Sequence, residues 1–261
     1  MTPEELSTAG LQFAVDGAVA TITLDRPEVR NAQTPTMWRA LAALGAQIPD
    51  EVRVVVVTGA GSTFSAGLDR AMLDPTGGDG QESVAGLLAL DDQAMADTID
   101  DYQRGFTFLR DPRFVSIAAV RGYAIGAGFQ LALSCDLRVL ADDAQLSMKE
   151  SALGLVPDLT GTKPLVECVG YARALEICAT ARMVGAQEAV DIGLASSAVP
   201  AADLDATVAG LAAALTKPLP GVVAETKALL QGAGDRSLDD QRRLEREAQV
   251  RRFRELAALA G

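Results

Sequence analysis

The chain has 261 residues, 49% of them hydrophobic, a formal net charge of −12 and no histidine. That length fits one large domain or a domain with an appendage, and the acidic balance, with no basic run, excludes a surface built to neutralise nucleic-acid phosphates. The missing imidazole excludes Ser-His-Asp and Cys-His nucleophilic catalysis and histidine-ligated metal, so any proton transfer falls to carboxylates, lysines or tyrosines.

The opening MTPEELSTAG is acidic and polar, unlike a secretory leader, and no apolar run reaches the roughly 18 residues of a bilayer span. A cytoplasmic protein with no membrane partner is expected. Residues 13–24 alternate as two short strands turning at Asp16-Gly17. RPEVRNA (26–32) is a loop broken by proline. Thr34-Pro35 opens a helix to about Gln47, with Thr34 as N-cap. VRVVVVTG (52–59) is a buried strand, followed by a glycine-rich loop over 59–69. DPTGGDG (74–80) is a flexible insert. A helix is expected over 98–109.

FVSIAAVRG (114–122) is a second buried strand. GYAIGAGFQLALSCD (122–136) is a small-residue loop entering a helix, LRVLAD a third strand and QLSMKE (145–150) a fourth. Helices are expected over 171–179 and 187–192, and GLASSAVP is a strand. From 201 to 261, Ala, Leu, Arg, Glu and Asp recur with helical periodicity. Recurrent strand–loop–helix units imply an α/β fold. Cys135, Cys168 and Cys178 form no CxxC pair and read as structural thiols.

Two glycine-rich loops, SAGLD (65–69) and GYAIGAG (122–128), each follow a buried strand and enter a helical segment. Backbone N–H groups at helix starts lack internal partners, and two aimed at one point can stabilise an oxyanion. Either loop alone reads better as tight strand–helix packing. GYAIGAG lacks a full GxGxxG, so a dinucleotide site is weakly supported.

In combination, LDRPEVRNA, VVVVTGAGSTFSAGLD and AAVRGYAIGAGFQLALSCDLRVLADDAQLSMKESALGLVPD resemble the crotonase (enoyl-CoA hydratase/isomerase) family over roughly the first 200 residues. The later GYARALEI, RMVGAQEAVDIGLA and AVP segments also match its pattern. The resemblance implies a spiral of ββα units over 1–200, and a helical segment over 201–261 that assembles trimers or dimers of trimers. It implies an acyl-CoA thioester substrate, with coenzyme A as part of that substrate and no separate cofactor or metal. The family's oxyanion hole falls on the N–H groups of Leu68 and Ala127, the latter standing where glycine is usual. Its CoA contacts fall near Val29, Arg30, Ala66 and Asp69.

The first catalytic glutamate of a hydratase falls on Gln130, which cannot transfer a proton as a carboxylate does but can orient a water or carbonyl. The second falls on Glu150. Asp158 occupies a third position, where some isomerases and a dehalogenase of the family carry a carboxylate. Water addition usually needs two proton-handling groups, whereas a double-bond shift needs removal and return of one proton. Gln130, Glu150 and Asp158 therefore lean towards isomerisation. Outside the resemblance, Glu150 reads as a surface charge beside Lys149, and Asp158 as a turn residue after Pro157. Two alternatives stay open: hydrolysis or dehalogenation with Asp158 as nucleophile, and a non-catalytic acyl-CoA-binding protein.

Overall fold

A computed structural model describes residues 1–73 and 82–260. The expected insert at 74–80 lies outside the described residues. A short helix α1 (Pro3–Thr8) opens the chain, capped by Thr2 and Glu5 in a reciprocal capping box. Strands β1 (Leu11–Asp16) and β2 (Val19–Leu24) form the expected hairpin, with Leu11 opposite Leu24. Helix α2 (Pro35–Gly45) starts where Thr34 accepts from the Met37 N–H at 3.2 Å. Strand β3 (Val54–Gly59) follows, then α3 (Val84–Leu88) and α4 (Asp92–Thr107). Helix α4 begins six residues before the expected start, because Asp91 caps it by accepting from Ala94 N–H.

Strand β4 (Val115–Val120) leads into β5 (Tyr123–Ile125) and helix α5 (Ala127–Ser134). The GYAI stretch, expected as loop, is thus a short strand. Strands β6 (Leu137–Ala141) and β7 (Gln145–Ser147) come next, then α6 (Thr162–Val169) and α7 (Tyr171–Thr180). Strand β8 (Val184–Gly185), helix α8 (Ala186–Asp191) and strand β9 (Ser197–Val199) follow. Three helices finish the chain: α9 (Leu204–Thr216), α10 (Val222–Leu230) and α11 (Leu238–Ala260).

The main sheet runs β1-β2-β3-β4-β6-β9, parallel except at the β1/β2 hairpin. A second sheet runs β5-β7-β8, and isolated bridges extend its pattern through Ser65 to Ala124 and Gln33 to Leu68. Each turn of the chain therefore lays a strand in the main sheet, a brief extended stretch beside the second, and then a helix. Strands β2, β3 and β4 lead in this way to Gln33 and α2, to residues 65–68, and to β5 and α5. This is the crotonase-like ββα spiral.

The apolar runs of β3, β4 and β6 are explained by burial on both faces. Val54, Val56, Ile117, Ala119, Val139 and Ala141 pack under α9 through Leu204, Val208 and Ala212. Val55, Val57, Ala118, Val120 and Leu140 face the larger core with Phe64, Phe106 and Phe129. Asp136 ties the helical end to this core. Its Oδ2 accepts from Ser116 N–H and from the Lys227 ammonium of α10 at 2.7 Å. Lys227 also donates to the carbonyls of Asp111 and Phe114. Among the described residues, no helix is long and apolar enough to cross a membrane.

Candidate active site

The two glycine-rich loops meet. Ser65 N–H donates to Tyr123 O, and Ile125 N–H donates back to Ser65 O at 3.0 Å. Gly67 has φ +88°, and a Cβ there would fall 2.4 Å from Ile125 O and 3.5 Å from Ala127 N. Only glycine allows this backbone geometry and this closeness together. Leu68 follows Gly67, and Ala127 begins α5. Among the described residues neither of their N–H groups donates a hydrogen bond. Two free donors on touching loops can receive an anionic oxygen.

The loops are braced from below. Asn31 is fully buried, and its carboxamide accepts from Arg26 N–H and donates to Ala60 O and Thr63 O. Gln33 Nε2 donates to Ser65 Oγ, Gln33 Oε1 accepts from Trp38 Nε1, and Ser65 Oγ donates to Asn31 O. Sequence reasoning missed this chain of buried amides. The NAQ run supplied polar residues just before an apolar helix, but the partners that tie it to the 60–65 loop lie 29 to 34 positions away.

The residues expected at coenzyme A are brought to one edge. Val29 and Arg30 are exposed, with Arg30 in the left-handed region at φ 55°. The Arg30 carbonyl accepts from Ala66 N–H at 2.9 Å, joining the two segments. Asp69 is half-buried and paired with Arg26 at 2.8 Å. Burial alone would raise its pKa, but the Ala71 N–H and Arg26 hold the carboxyl below its ordinary value.

Glu150 is buried, at 8% exposure, in a 3-10 turn directly after Lys149. The surface-charge reading of that pair fails, because Lys149 turns away to donate to Ala181 O. Glu150 Oε1 accepts from Gln130 Nε2 at 2.7 Å. Its other oxygen, Oε2, is buried without a partner among the described residues. Gly126, at the mouth of α5, would put a Cβ 3.3 Å from Oε1. Burial raises the pKa of Glu150, opposed by its own backbone N–H and by Gln130, and the charge of Asp158 adds to the rise.

Gln130 is fully buried. Its Oε1 accepts from Leu159 N–H at 2.9 Å and Gly161 N–H at 3.2 Å. Two donors facing that atom fix it as the oxygen and leave the amide nitrogen towards Glu150. Asp158 sits at the open end of the site with much of its surface in water. Neighbouring atoms crowd its carboxyl enough to raise the pKa, although solvent access argues for less than at Glu150. Its carbonyl accepts from Gln103 Nε2 of α4 at 2.6 Å.

A carboxylate with one free, desolvated oxygen can act as a general base, and its raised pKa suits that task. A cavity of about 1070 Å³ lies elsewhere, at the far end of α5, lined by Leu133, Cys135, Lys163, Lys227 and Gln231 among others. It reaches neither the acids nor the two free N–H groups.

The chain matches the Enoyl-CoA hydratase/isomerase family over residues 14–258. It belongs to that family. A Thermobifida fusca protein designated an enoyl-CoA hydratase, solved in complex with acetoacetyl-CoA, is 53% identical with a TM-score of 0.94, over 97% of this chain and 98% of that one. The rat mitochondrial Delta(3,5)-Delta(2,4)-dienoyl-CoA isomerase is 34% identical, over 91% of this chain and 74% of the relative. A Rhodobacter capsulatus protein designated an enoyl-CoA hydratase is 33% identical, over 88% of this chain and 91% of the relative. This enoyl-CoA hydratase/isomerase thus has similar proteins named for both reactions, and the family match leaves the choice between them to the residues of the site.

Proposed function

We propose that this enzyme moves a double bond in an enoyl-CoA thioester, with Glu150 as the principal acid–base group. The observation that carries the reading is the hydrogen bond from Gln130 to Glu150, in which an amide fills the seat of a second proton-handling glutamate. The thioester oxygen rests in an oxyanion hole made by Leu68 N–H and Ala127 N–H. Glu150 Oε2 removes a proton from C2 of a 3-enoyl thioester. The C–H electrons pass into the carbonyl, giving a dienolate held by the two donors. Return of the proton at C4 leaves the double bond between C2 and C3.

A 3,5-dienoyl thioester extends the conjugated path to C6, where a second carboxylate is useful, and Asp158 is suited to that end. The similarity to the dienoyl-CoA isomerase supports this range of substrates. Crystallised relatives with acetoacetyl-CoA and with CoA support a CoA thioester as the ligand. Val29, Arg30 and Ala66 line its entry, and Asp69 holds that edge in place through Arg26. No cofactor beyond the substrate's coenzyme A enters the reaction.

Self-association as a trimer or a dimer of trimers belongs to the same reading. It is supported by apolar side chains left in solvent at Leu153, Val156, Tyr171, Leu230 and Phe253. Light scattering on the purified protein tests it.

The chemistry is tested by offering 3-enoyl-, 3,5-dienoyl- and 2-enoyl-CoA separately. Movement of the double bond in either of the first two, with little hydration of the third, is expected. Rapid hydration of 2-enoyl-CoA without any isomerisation would overturn the proposal.

A further inference from the structure

We infer that Gln130 is the positioning residue that joins the two acids of the site: one side of its carboxamide orients Glu150 and the other holds the turn bearing Asp158. The inference rests on the isomerase reading for its meaning, though its geometry stands independently. Gln130 Nε2 donates to Glu150 Oε1 at 2.7 Å, fixing which carboxylate oxygen stays free. Gln130 Oε1 accepts from Leu159 N–H and Gly161 N–H, the residues on either side of Thr160 and directly after Asp158.

That turn needs holding. Thr160 has φ 68°, a left-handed conformation that is strained for a β-branched residue. Gly161 packs on the same side chain, since a Cβ there would meet Gln130 Cγ at 2.7 Å. From the opposite side Gln103 Nε2 grips the Asp158 carbonyl at 2.6 Å. Glutamine alone among the common residues of this length both donates to a carboxylate and accepts from two N–H groups at neutral pH. A glutamate in its place keeps the acceptor role but, once ionised, repels Glu150. A methionine keeps the volume and loses both roles.

The test compares wild type with Gln130→Met and Gln130→Glu in the full-length protein. Amide hydrogen exchange is read at Leu159 and Gly161, and the titration of Glu150 by carboxyl-carbon NMR. In Gln130→Met, exchange at both amides should speed up by about tenfold. The titration of Glu150 should also move to higher pH, because a donor to its charged form is gone. In Gln130→Glu the two amides should stay protected while the titration still moves up. The acid limb of the rate–pH profile should follow the titration in each variant. Unchanged exchange in Gln130→Met, or an unmoved Glu150 titration in both variants, would overturn the inference. If Gln130→Met does not fold, Gln130→Glu alone decides: loss of protection at Leu159 and Gly161 in that folded variant also overturns it. Failure of the wild type to isomerise any substrate overturns the isomerase reading and leaves the exchange and titration results standing.

Discussion

Buried Glu150 feels the charge of the exposed Asp158, so ionising Asp158 adds to the burial that already makes Glu150 harder to ionise. The two carboxyls are therefore unequal, and their substitutions should be unequal too.

Glu150→Gln is expected to lower kcat for isomerisation by about 10²–10⁴-fold, the usual contribution of a positioned general base. The hydrogen bond from Gln130 can still be accepted, so binding of acyl-CoA should change little. Asp158→Asn should lower kcat less for 3-enoyl-CoA than for 3,5-dienoyl-CoA. Steady-state kinetics with both substrates, beside isothermal titration of CoA ligands, checks the ordering. Equal losses on the two substrates would remove the second-acid role of Asp158.

The pH dependence follows from the raised pKa of Glu150, caused first by burial. The base is active only when ionised, so the rate should fall as pH drops through a value above the ordinary glutamate range. Stability runs the other way. The folded state holds the Glu150 proton more tightly than the unfolded chain, so this residue's contribution is fully present below the unfolded pKa. It is lost as pH rises to the folded pKa. The melting temperature of wild type should thus fall relative to Glu150→Gln across that window. Parallel melting curves from pH 4 to 8 would exclude the burial cost.

Gly67→Ala should damage catalysis more than folding. The substitution puts a methyl 2.4 Å from Ile125 O at φ +88°, so the two loops must separate. A drop in kcat of about 10²–10³-fold is expected if Leu68 N–H leaves its place beside Ala127 N–H. The strain in the left-handed backbone adds about 1–2 kcal/mol of destabilisation. Kinetics and urea titration on the same preparation separate the two effects, and an unchanged kcat would count against the paired-donor site.

Lys227→Met should do the reverse. The ammonium is buried between Asp136 and the carbonyls of Asp111 and Phe114, and burial lowers its pKa. Removing it leaves Asp136 without its cation, and breaking such a pair typically costs about 3–5 kcal/mol. The loss is expected in urea titration, with kcat per folded molecule retained, because Lys227 lies beyond the far end of α5 from Glu150.

Long-range architecture was legible wherever a strand is buried on both faces. VVVVTG and VSIAAV announce themselves by unbroken apolar composition, and Thr34-Pro35 marks a helix start with chemistry confined to four residues. Of the second sheet only β7 was legible, as the first half of the strand expected over 145–150, which ends at Ser147; β5 and β8 are three residues or fewer, and periodicity needs more. The start of α1 carries its signal in Thr2-Pro3-Glu4-Glu5, whereas Pro164 in the first turn of α6 hides that helix. In the site, the family pattern located Gln130, Glu150 and Asp158 but not how they meet. The spacing in SMKES carries no sign that the chain turns after Met148 and sends Glu150 inward while Lys149 faces Ala181.

The contact between Gly161 and Gln130 makes two distant positions a single unit of inheritance. A side chain at 161 has nowhere to go while a long residue fills 130, and a shorter residue at 130 leaves Leu159 and Gly161 without their acceptor. Among relatives that retain this turn, the two positions should therefore covary. Replacing residue 130 by a shorter one is then a poor route to a new reaction, since the loop at 158–161 must be rebuilt along with it.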